Sequence, residues 1–308
     1  VEVMSLVIGA HIFFAESLDT FAADLRRARP TFFFSVPRLW VKFQQGVFAK
    51  MPQGKLDRLL RIPFLNRVIK RKILAGLGLD ACRLAAGGAA PMPPDLLRWY
   101  ARLGLEIIEV YGMTENCAIS HSIVPGDPKA GYVGLPYEGV ESRLAEDGEV
   151  QMRSGALMLG YYREPEKTRE TMTEDGWLRT GDRGELDAQG RLRITGRVKE
   201  IFKTSKGKYV SPAPIENRLA AHSRIEACCV MGAGLPQPFA VLILPPDELA
   251  ACKDAAHRER LDTSLAQHLG EVNAALDAHE QMDFVVVVPE QWTVENGFIT
   301  PTMKVKRN

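Results

Sequence analysis

The stretch RTGDRGELDAQGRLRITGRVKE, residues 179–200, carries an Asp near one end and an Arg near the other, each beside a Gly. Gly184–Asp187 and Arg191–Thr195 are two short alternating runs. Asp187-Ala188-Gln189-Gly190 between them has turn chemistry, with Gly190 free to take a positive φ. Folding the chain at that turn brings Asp182 and Arg197 side by side at the open end of the hairpin. A carboxylate and a guanidinium so placed can clamp a polyol or a phosphate. Taken alone, the same pair is an ordinary surface ion pair worth little.

A second candidate follows an apolar run. Leu105–Val110 leads directly into Tyr111-Gly112-Met113-Thr114-Glu115. Parallel sheets bind ligands beyond the carboxyl ends of their strands. An aromatic face, a hydroxyl and a carboxylate in succession can stack a base, bond a phosphate and hold Mg²⁺ through Glu115; the plainer reading is a strand end with a polar turn. Gly87-Gly88-Ala89-Ala90 has no Lys, Ser or Thr to hold phosphate, but its backbone can approach a flat ligand and read the edge of a base. Near the C-terminus, Lys304 lies on a loop after Gly297 and Pro301, a position where a single Lys is otherwise a solvated charge. Two look-alikes are set aside. Gly76–Ala81 follows a basic helix rather than a strand, which rules out a dinucleotide fingerprint. Thr204–Lys208 lacks the first Gly and the final Ser/Thr of a phosphate loop.

The elements that must position these residues read as α/β. Residues 1–40 read as strand, helix, strand: Val3–Ala15 as a buried strand, then a helix capped by Ser17 or Asp19 and running through Arg29, then the β-rich Thr31–Val36. Residues 38–80 read as helical, broken at Pro52 and Pro63, and a helix from Pro94 ends near Gly104. This alternation points to parallel units. From Tyr132 to Thr195 the pattern turns to short strands and turns. A smaller α/β region follows Glu200, with strands near 226–232, 239–245 and 283–288 and a helix from about Asp254 to His279. The boundary is expected at Gly196–Lys199, giving domains 1–197 and 198–308.

Bulk properties agree. A chain of 308 residues, 46% hydrophobic and 25% charged, is long enough for about two globular domains. A net charge of +1 argues against a dedicated nucleic-acid binder. The five cysteines show no metal spacing, which suits a reducing, cytoplasmic compartment. Residues 55–72 interleave Arg58, Arg61, Arg67, Lys70, Arg71 and Lys72 with Leu59, Leu60, Ile62, Phe64, Leu65, Val68 and Ile69. Such a basic amphipathic stretch either packs on the core or makes peripheral contact with an anionic membrane. The chain opens without Met, in an apolar run, and ends without a cap, so it is expected to be a piece of a longer protein.

In order along the chain, Gly-Gly-Ala-Ala (87–90), Tyr-Gly-Met-Thr-Glu (111–115), Gly-Trp-Leu-Arg-Thr-Gly-Asp (176–182), Gly-Arg-Val-Lys-Glu (196–200) and Thr-Pro-Thr-Met-Lys (300–304) resemble the motifs of adenylate-forming, AMP-binding enzymes. GYYREPEKT (160–168) and KTSKGKYVSPAPIE (203–216) look most like the long-chain fatty acyl-CoA synthetases among them. The resemblance implies the partial large domain of that fold, a parallel α/β sheet plus a distorted β-barrel, followed by a small α/β C-terminal domain. It implies a fatty acid–CoA ligase using ATP, Mg²⁺ and CoA: carboxylate and ATP give acyl-AMP and pyrophosphate, then CoA displaces AMP. It implies an adenine slot at Gly87, Gly88 and Ala89 with Tyr111 stacking beside Gly112. Thr114 falls on a phosphate contact, Glu115 on the Mg²⁺ ligand, and Asp182 on the ribose hydroxyls with Arg197 assisting. Lys304 falls on the lysine facing the α-phosphate, Lys199 on the hinge of the mobile small domain, and Gly207 on the glycine that lets the pantetheine arm pass.

The departures concern what precedes the first residue. The family's Ser/Thr/Gly-rich phosphate loop with its Lys has no counterpart, nor does its His/Glu/Arg segment; His11 is expected instead in the core or pocket lining of the first strand. Val110 stands where many relatives have Gly. Taken alone the chain is expected to be weakly active or inactive. An adenylating enzyme for another carboxylate or a carrier-protein thiol, and a non-catalytic nucleotide-binding remnant, are the alternatives.

Overall fold

The computed structural model describes residues 7–17, 19–90, 92–126, 129, 131–300 and 305–306. The chain gathers into two compact units. One comprises Val1–Tyr111 and Ser122–Ala130, the other Gly112–His121 and Gly131–Asn308, as far as their residues are described.

In the first unit, helices α1 (Phe21–Ala28), α2 (Pro37–Lys50), α3 (Gln53–Leu59), α4 (Leu65–Leu77) and α5 (Pro94–Leu103) alternate with strands β1 (Phe32–Ser35), β2 (Leu84–Gly87) and β3 (Ile107–Tyr111). The helix breaks fall where proline removes a donor, at Pro52 and just after Pro63. Gly78 and Gly104 close α4 and α5 in the left-handed conformation. At Gly78 a side chain would meet the backbone of Leu25 at 2.6 Å, so this glycine serves helix packing. The three strands run parallel, with Phe33 opposite Ala85 and Ala85 opposite Ile107. Their core sets Trp40, Trp99 and Tyr100 among aliphatic side chains such as Leu56, Leu79 and Leu96. Tyr100 and Trp40 pack edge to face at 5.0 Å, and the Tyr100 hydroxyl donates to the Trp40 carbonyl at 2.8 Å.

The start of the chain departs from expectation. Residues 7–15 form no strand among the described residues, and Val7, Ile8, Phe13 and Phe14 are exposed. An extended segment becomes a strand only by pairing its N–H and C=O groups with a neighbour, and the ladder of β1 is with β2. His11 is correspondingly an exposed residue whose ring lies 4.4 Å from that of Phe13, not part of a core. The cap before α1 is Thr20 rather than Ser17 or Asp19: Ser17 and Thr20 exchange backbone-to-hydroxyl bonds of 3.0 and 3.1 Å, which turns the chain into the helix.

The second unit contains a four-stranded antiparallel sheet, β4 (Glu141–Leu144), β5 (Glu149–Arg153), β6 (Leu178–Leu186) and β7 (Leu192–Arg197), in sequence order, with α6 (Pro165–Thr171) inserted before β6. Beyond it lie the short hairpin β8 (Phe202–Lys203) and β9 (Tyr209–Val210) and helix α7 (Pro212–Leu219). Then come β10 (Ala227–Met231), β11 (Phe239–Ile243), α8 (Pro246–Ala251), α9 (Ala255–Asn273) and β12 (Val285–Val287). Strands β10, β11 and β12 form one sheet, antiparallel then parallel. Its core includes Ile215, Leu219, Val230, Leu242, Leu261 and Leu265. Helix α9 stops at Asn273, short of the His279 expected. The backbone then turns through Ala274–Leu276, and the Asn273 side chain accepts from the Met282 N–H and donates to its carbonyl, both at 2.9 Å, tying the helix end to the segment before β12.

His121 in this unit is fully buried, its Nδ1 lying 2.6 Å from the Ser120 hydroxyl. Burial lowers its pKa from 6.5 to about 4. Between those values the unfolded chain binds a proton that the folded chain refuses. Stability is therefore complete above about pH 6.5 and is lost progressively as pH falls toward about 4. His222, whose pKa burial also lowers, acts in the same sense. Urea denaturation between pH 4 and 7 is expected to show this slope, and His121→Asn to flatten it.

Candidate nucleotide site

The hairpin forms as its spacing predicts. Strands β6 and β7 are antiparallel, with Leu186 opposite Leu192 next to the turn and Asp182 opposite Arg197 at the far end. Asp187 builds the turn, accepting from the N–H groups of Gln189 (2.9 Å) and Arg191 (3.0 Å), while Gly190 supplies φ +78. The Arg197 Nε lies 3.0 Å from Asp182 Oδ1; the carboxylate is nearly buried and the guanidinium half exposed. That difference matters, because a sheltered carboxylate is fixed in place while the exposed arginine can shift toward a ligand.

Two residues to which the motifs assign no role hold Asp182. The Thr180 hydroxyl donates to the Val150 carbonyl at 2.6 Å and accepts from the Asp182 N–H at 3.1 Å. The buried Glu149 accepts from the Gly181 N–H at 3.0 Å, and Gly181 takes φ +69. A bulge between Arg183 and Gly184 twists the strand just past this corner. Their signal in the sequence is the Thr-Gly pair before Asp182; Glu149 gives none, since its partner lies 32 residues away.

Thr114, Glu115 and Gly112 lie together in the second unit. Thr114 is exposed and opens a single 3₁₀ turn, Thr114–Asn116. The buried Asn116 accepts from the Met113 N–H at 2.9 Å, and Cys117 and Ala118 both take positive φ, which doubles the chain back. A Cβ on Gly112 would stand 2.5 Å from the Ala118 backbone, so no other residue fits there. Glu115 receives the Tyr161 hydroxyl on Oε1 at 2.7 Å. Burial first, and this bond second, raise the Tyr161 pKa, so the phenol stays a donor.

In the first unit, Gly87 ends β2 opposite Glu109 of β3, and Tyr111 ends β3, half-buried. A Cβ at Gly88 would sit 3.0 Å from the Val110 carbonyl and one at Gly87 3.0 Å from Met92 Sδ. Close packing alone thus demands small residues there. Ala89 takes φ +69, a left-handed conformation that costs a residue with a Cβ. Glu109, buried and missed by motif reading, accepts from the Met92 N–H at 3.0 Å and so ties down the far end of the Gly87–Met92 loop.

Gly207 turns the β8–β9 hairpin at φ +78, its N–H donating to Thr204 at 2.9 Å. Lys199 is exposed in a 3₁₀ turn, Val198–Glu200, directly after β7. Lys304 lies outside the described residues. Among the described residues no three His, Cys, Asp or Glu side chains cluster as a metal site. A lone carboxylate such as Glu115 still suits Mg²⁺, which is commonly held by one or two carboxylates together with substrate phosphates.

The profile of the AMP-binding enzymes matches residues 1–162, and that of the AMP-binding enzyme C-terminal domain matches residues 199–305. The chain belongs to the AMP-binding, adenylate-forming enzyme family. It is 31% identical to a putative fatty-acid–CoA ligase, fadD11, of Mycobacterium tuberculosis, over 98% of this chain and 60% of that protein. It is 37% identical to the long-chain-fatty-acid–CoA ligase FadD15 of Mycobacterium bovis, over 79% of this chain and 42% of that one. The chain thus spans about half the length of the curated relatives it matches. The A domain of carboxylic acid reductase from Segniliparus rugosus, solved with AMP and a co-purified carboxylic acid, superposes with a TM-score of 0.75 at 25% identity, covering 96% of this chain and 47% of that one. The α/β fold of adenylate-forming enzymes is therefore present, with the four-stranded antiparallel sheet standing where the barrel was expected.

Gly196, between Asp182's partner and the preceding strand residue, takes φ +151, and a Cβ there would collide with the Ser211 hydroxyl that donates to Thr195 O at 2.5 Å. Gly196→Ala is expected to destabilise by about 2 kcal/mol or more, read as a lowered urea midpoint.

Proposed function

We propose that the complete protein is an ATP-dependent long-chain fatty acid–CoA ligase. A carboxylate oxygen attacks the α-phosphorus of ATP, the bond to the bridging oxygen breaks, and pyrophosphate leaves. The CoA sulfur then attacks the acyl carbon, loses its proton, and AMP leaves with the carbon–oxygen bond electrons. The likeness to FadD11 and FadD15 supports the substrate class.

The observation that carries the reading is the Asp182–Arg197 pair. A sheltered carboxylate can accept from two vicinal hydroxyls at once, and the adjacent guanidinium adds donors toward phosphate. On this reading Gly87, Gly88 and Ala89 present backbone to the adenine edge and Tyr111 stacks on the base. Gly112 gives the turn its room and Thr114 donates to a phosphate. Glu115 would hold Mg²⁺, which supplies neutralisation of phosphate charge. Lys304 is assigned to the charge building on the α-phosphate during adenylation. Residues 198–308 act as the small domain, turning about Lys199 between the two half-reactions, and Gly207 leaves room for the pantetheine arm. A second reading, an adenylating enzyme for another carboxylate or a carrier-protein thiol, is favoured by the likeness to the carboxylic acid reductase A domain.

The five cysteines are free, which supports a reducing, cytoplasmic location. No helix of the described residues is long and apolar enough to cross a membrane. We assign peripheral membrane contact to residues 55–72. There Phe64 is 90% exposed and Val68 62%, flanked by exposed Arg61, Arg67 and Arg71. Sedimentation with phosphatidylglycerol vesicles is expected to pull the chain down at low salt. Charge reversal at Arg67, Lys70 and Arg71 is expected to abolish this, and unchanged binding would remove the assignment.

Calorimetric titration with a non-hydrolysable acyl-adenylate analogue tests the site. Binding should weaken at least about tenfold in Asp182→Ala, the loss of a charge-assisted pair of bonds. Absence of binding in the folded wild-type chain would mean that residues 1–308 alone do not assemble the site. Equal binding of acyl and aryl analogues would favour the second reading.

A further inference from the structure

The segment Gly160–Thr168, GYYREPEKT, has no part in the roles assigned above. Its contacts converge on one residue. Tyr161 donates its hydroxyl to Glu115 Oε1 at 2.7 Å, and three residues earlier the Met158 N–H donates to the Glu115 carbonyl at 2.7 Å. Side chain and backbone of Glu115 are thus gripped by the same short stretch.

That stretch is itself anchored. The Tyr161 N–H donates to Thr168 Oγ1 at 2.9 Å, and the Thr168 hydroxyl donates onward to the Glu164 carbonyl at 2.9 Å. Thr168 therefore uses its hydroxyl once as acceptor and once as donor, and it does so from the first turns of α6. Gly160 makes the approach feasible: at φ +149, a Cβ there would stand 2.9 Å from Thr168 Cγ2. The Lys167 ammonium lies 4.8 Å from the centre of the Tyr161 ring, a cation–π contact that fixes the plane of the phenol. No functional group in this chain of bonds is idle. A tyrosine needed only for packing would not require a hydroxyl aimed at a carboxylate, a glycine and a threonine to seat its backbone, and a lysine over its face.

We infer that Gly160, Tyr161 and Thr168 form a latch that positions the Glu115 carboxylate to receive a divalent cation. The inference rests on the reading of Glu115 as the metal ligand. Tyr161 occupies Oε1 and fixes the side-chain rotamer, leaving Oε2 in one orientation for the cation. Partners that orient a ligating carboxylate typically change metal affinity by about 10–100-fold when removed. Tyr161 and Thr168 are positioning residues; neither touches the reacting atoms on this account.

Mn²⁺ is the probe, titrated by electron paramagnetic resonance in the presence of a non-hydrolysable ATP analogue, with metal-free AMP affinity measured in parallel. Glu115→Gln should weaken Mn²⁺ binding. Tyr161→Phe and Thr168→Val should each weaken it by about tenfold, with AMP affinity unchanged, and Thr168→Ser, which keeps the hydroxyl, should restore it. If Glu115→Gln weakens Mn²⁺ binding while Tyr161→Phe stays within twofold of wild type, the latch is overturned and the metal reading survives. If Glu115→Gln has no effect, the metal reading fails and the latch falls with it. Parallel loss of AMP and Mn²⁺ affinity in Tyr161→Phe would mark a merely structural role and also overturn the inference.

Discussion

The register of the β6–β7 ladder is the constraint on which the candidate site depends. Side chains alternate across a strand, so a slip of one residue would send Asp182 to the opposite face and separate it from Arg197. Register is set at the turn, where Asp187 collects two backbone N–H groups and Arg191 caps the same carboxylate at 2.8 Å. Leu192, fully buried, holds the face. The far end is then adjusted by the bulge at Arg183/Gly184 and by Thr180. A turn of a few residues thus dictates which groups meet five positions away, and Gly196 passes that geometry on to Ser211 and helix α7.

A different kind of constraint governs the turn after β3. There the backbone is held in conformations that residues with a Cβ avoid: Cys117 and Ala118 have φ of +54 and +58, and Ala89, in the separate loop after β2, has φ +69. Gly112 is the complement, a place where the doubled-back chain leaves no room for a Cβ. Strain of this sort persists only where surrounding contacts over-determine the backbone, and it gathers beside groups meant to meet a ligand. Asn116 supplies the over-determination in the turn after β3 and Glu109 supplies it for the loop after β2, each buried and each bonded to a backbone N–H.

Much of the fold was legible because its signals are local. Prolines 52 and 63 mark helix ends, Gly104 marks the close of α5, and the Asp187–Gly190 turn fixes a hairpin. The misreadings share one cause. Val3–Ala15 reads as a buried strand by composition, yet apolar content does not say whether a ladder partner is at hand, and residues 7–15 have none among the described residues. The residues to which the motifs assign no role, Glu109, Glu149, Thr180 and Tyr161, act through partners 17 to 46 positions away. Spacing in a single sequence carries no trace of such pairings. The end of α9 is hidden in the same way, since Asn273 there pairs with Met282, nine residues on.

Cys228 and Cys229 sit side by side on β10, opposite Leu242 and Val241 of β11. Neighbours on a strand face opposite ways, and both thiols are buried, so this strand is covered on its two faces. A thiol reagent reaches either sulfur only when the strand leaves its sheet. Alkylation of this pair is therefore a clock for opening of the C-terminal sheet. It runs at the opening rate when the reagent is abundant and at the open fraction times the chemical rate when it is scarce. The exposed Cys117 reacts without any opening and calibrates the reagent in the same molecule.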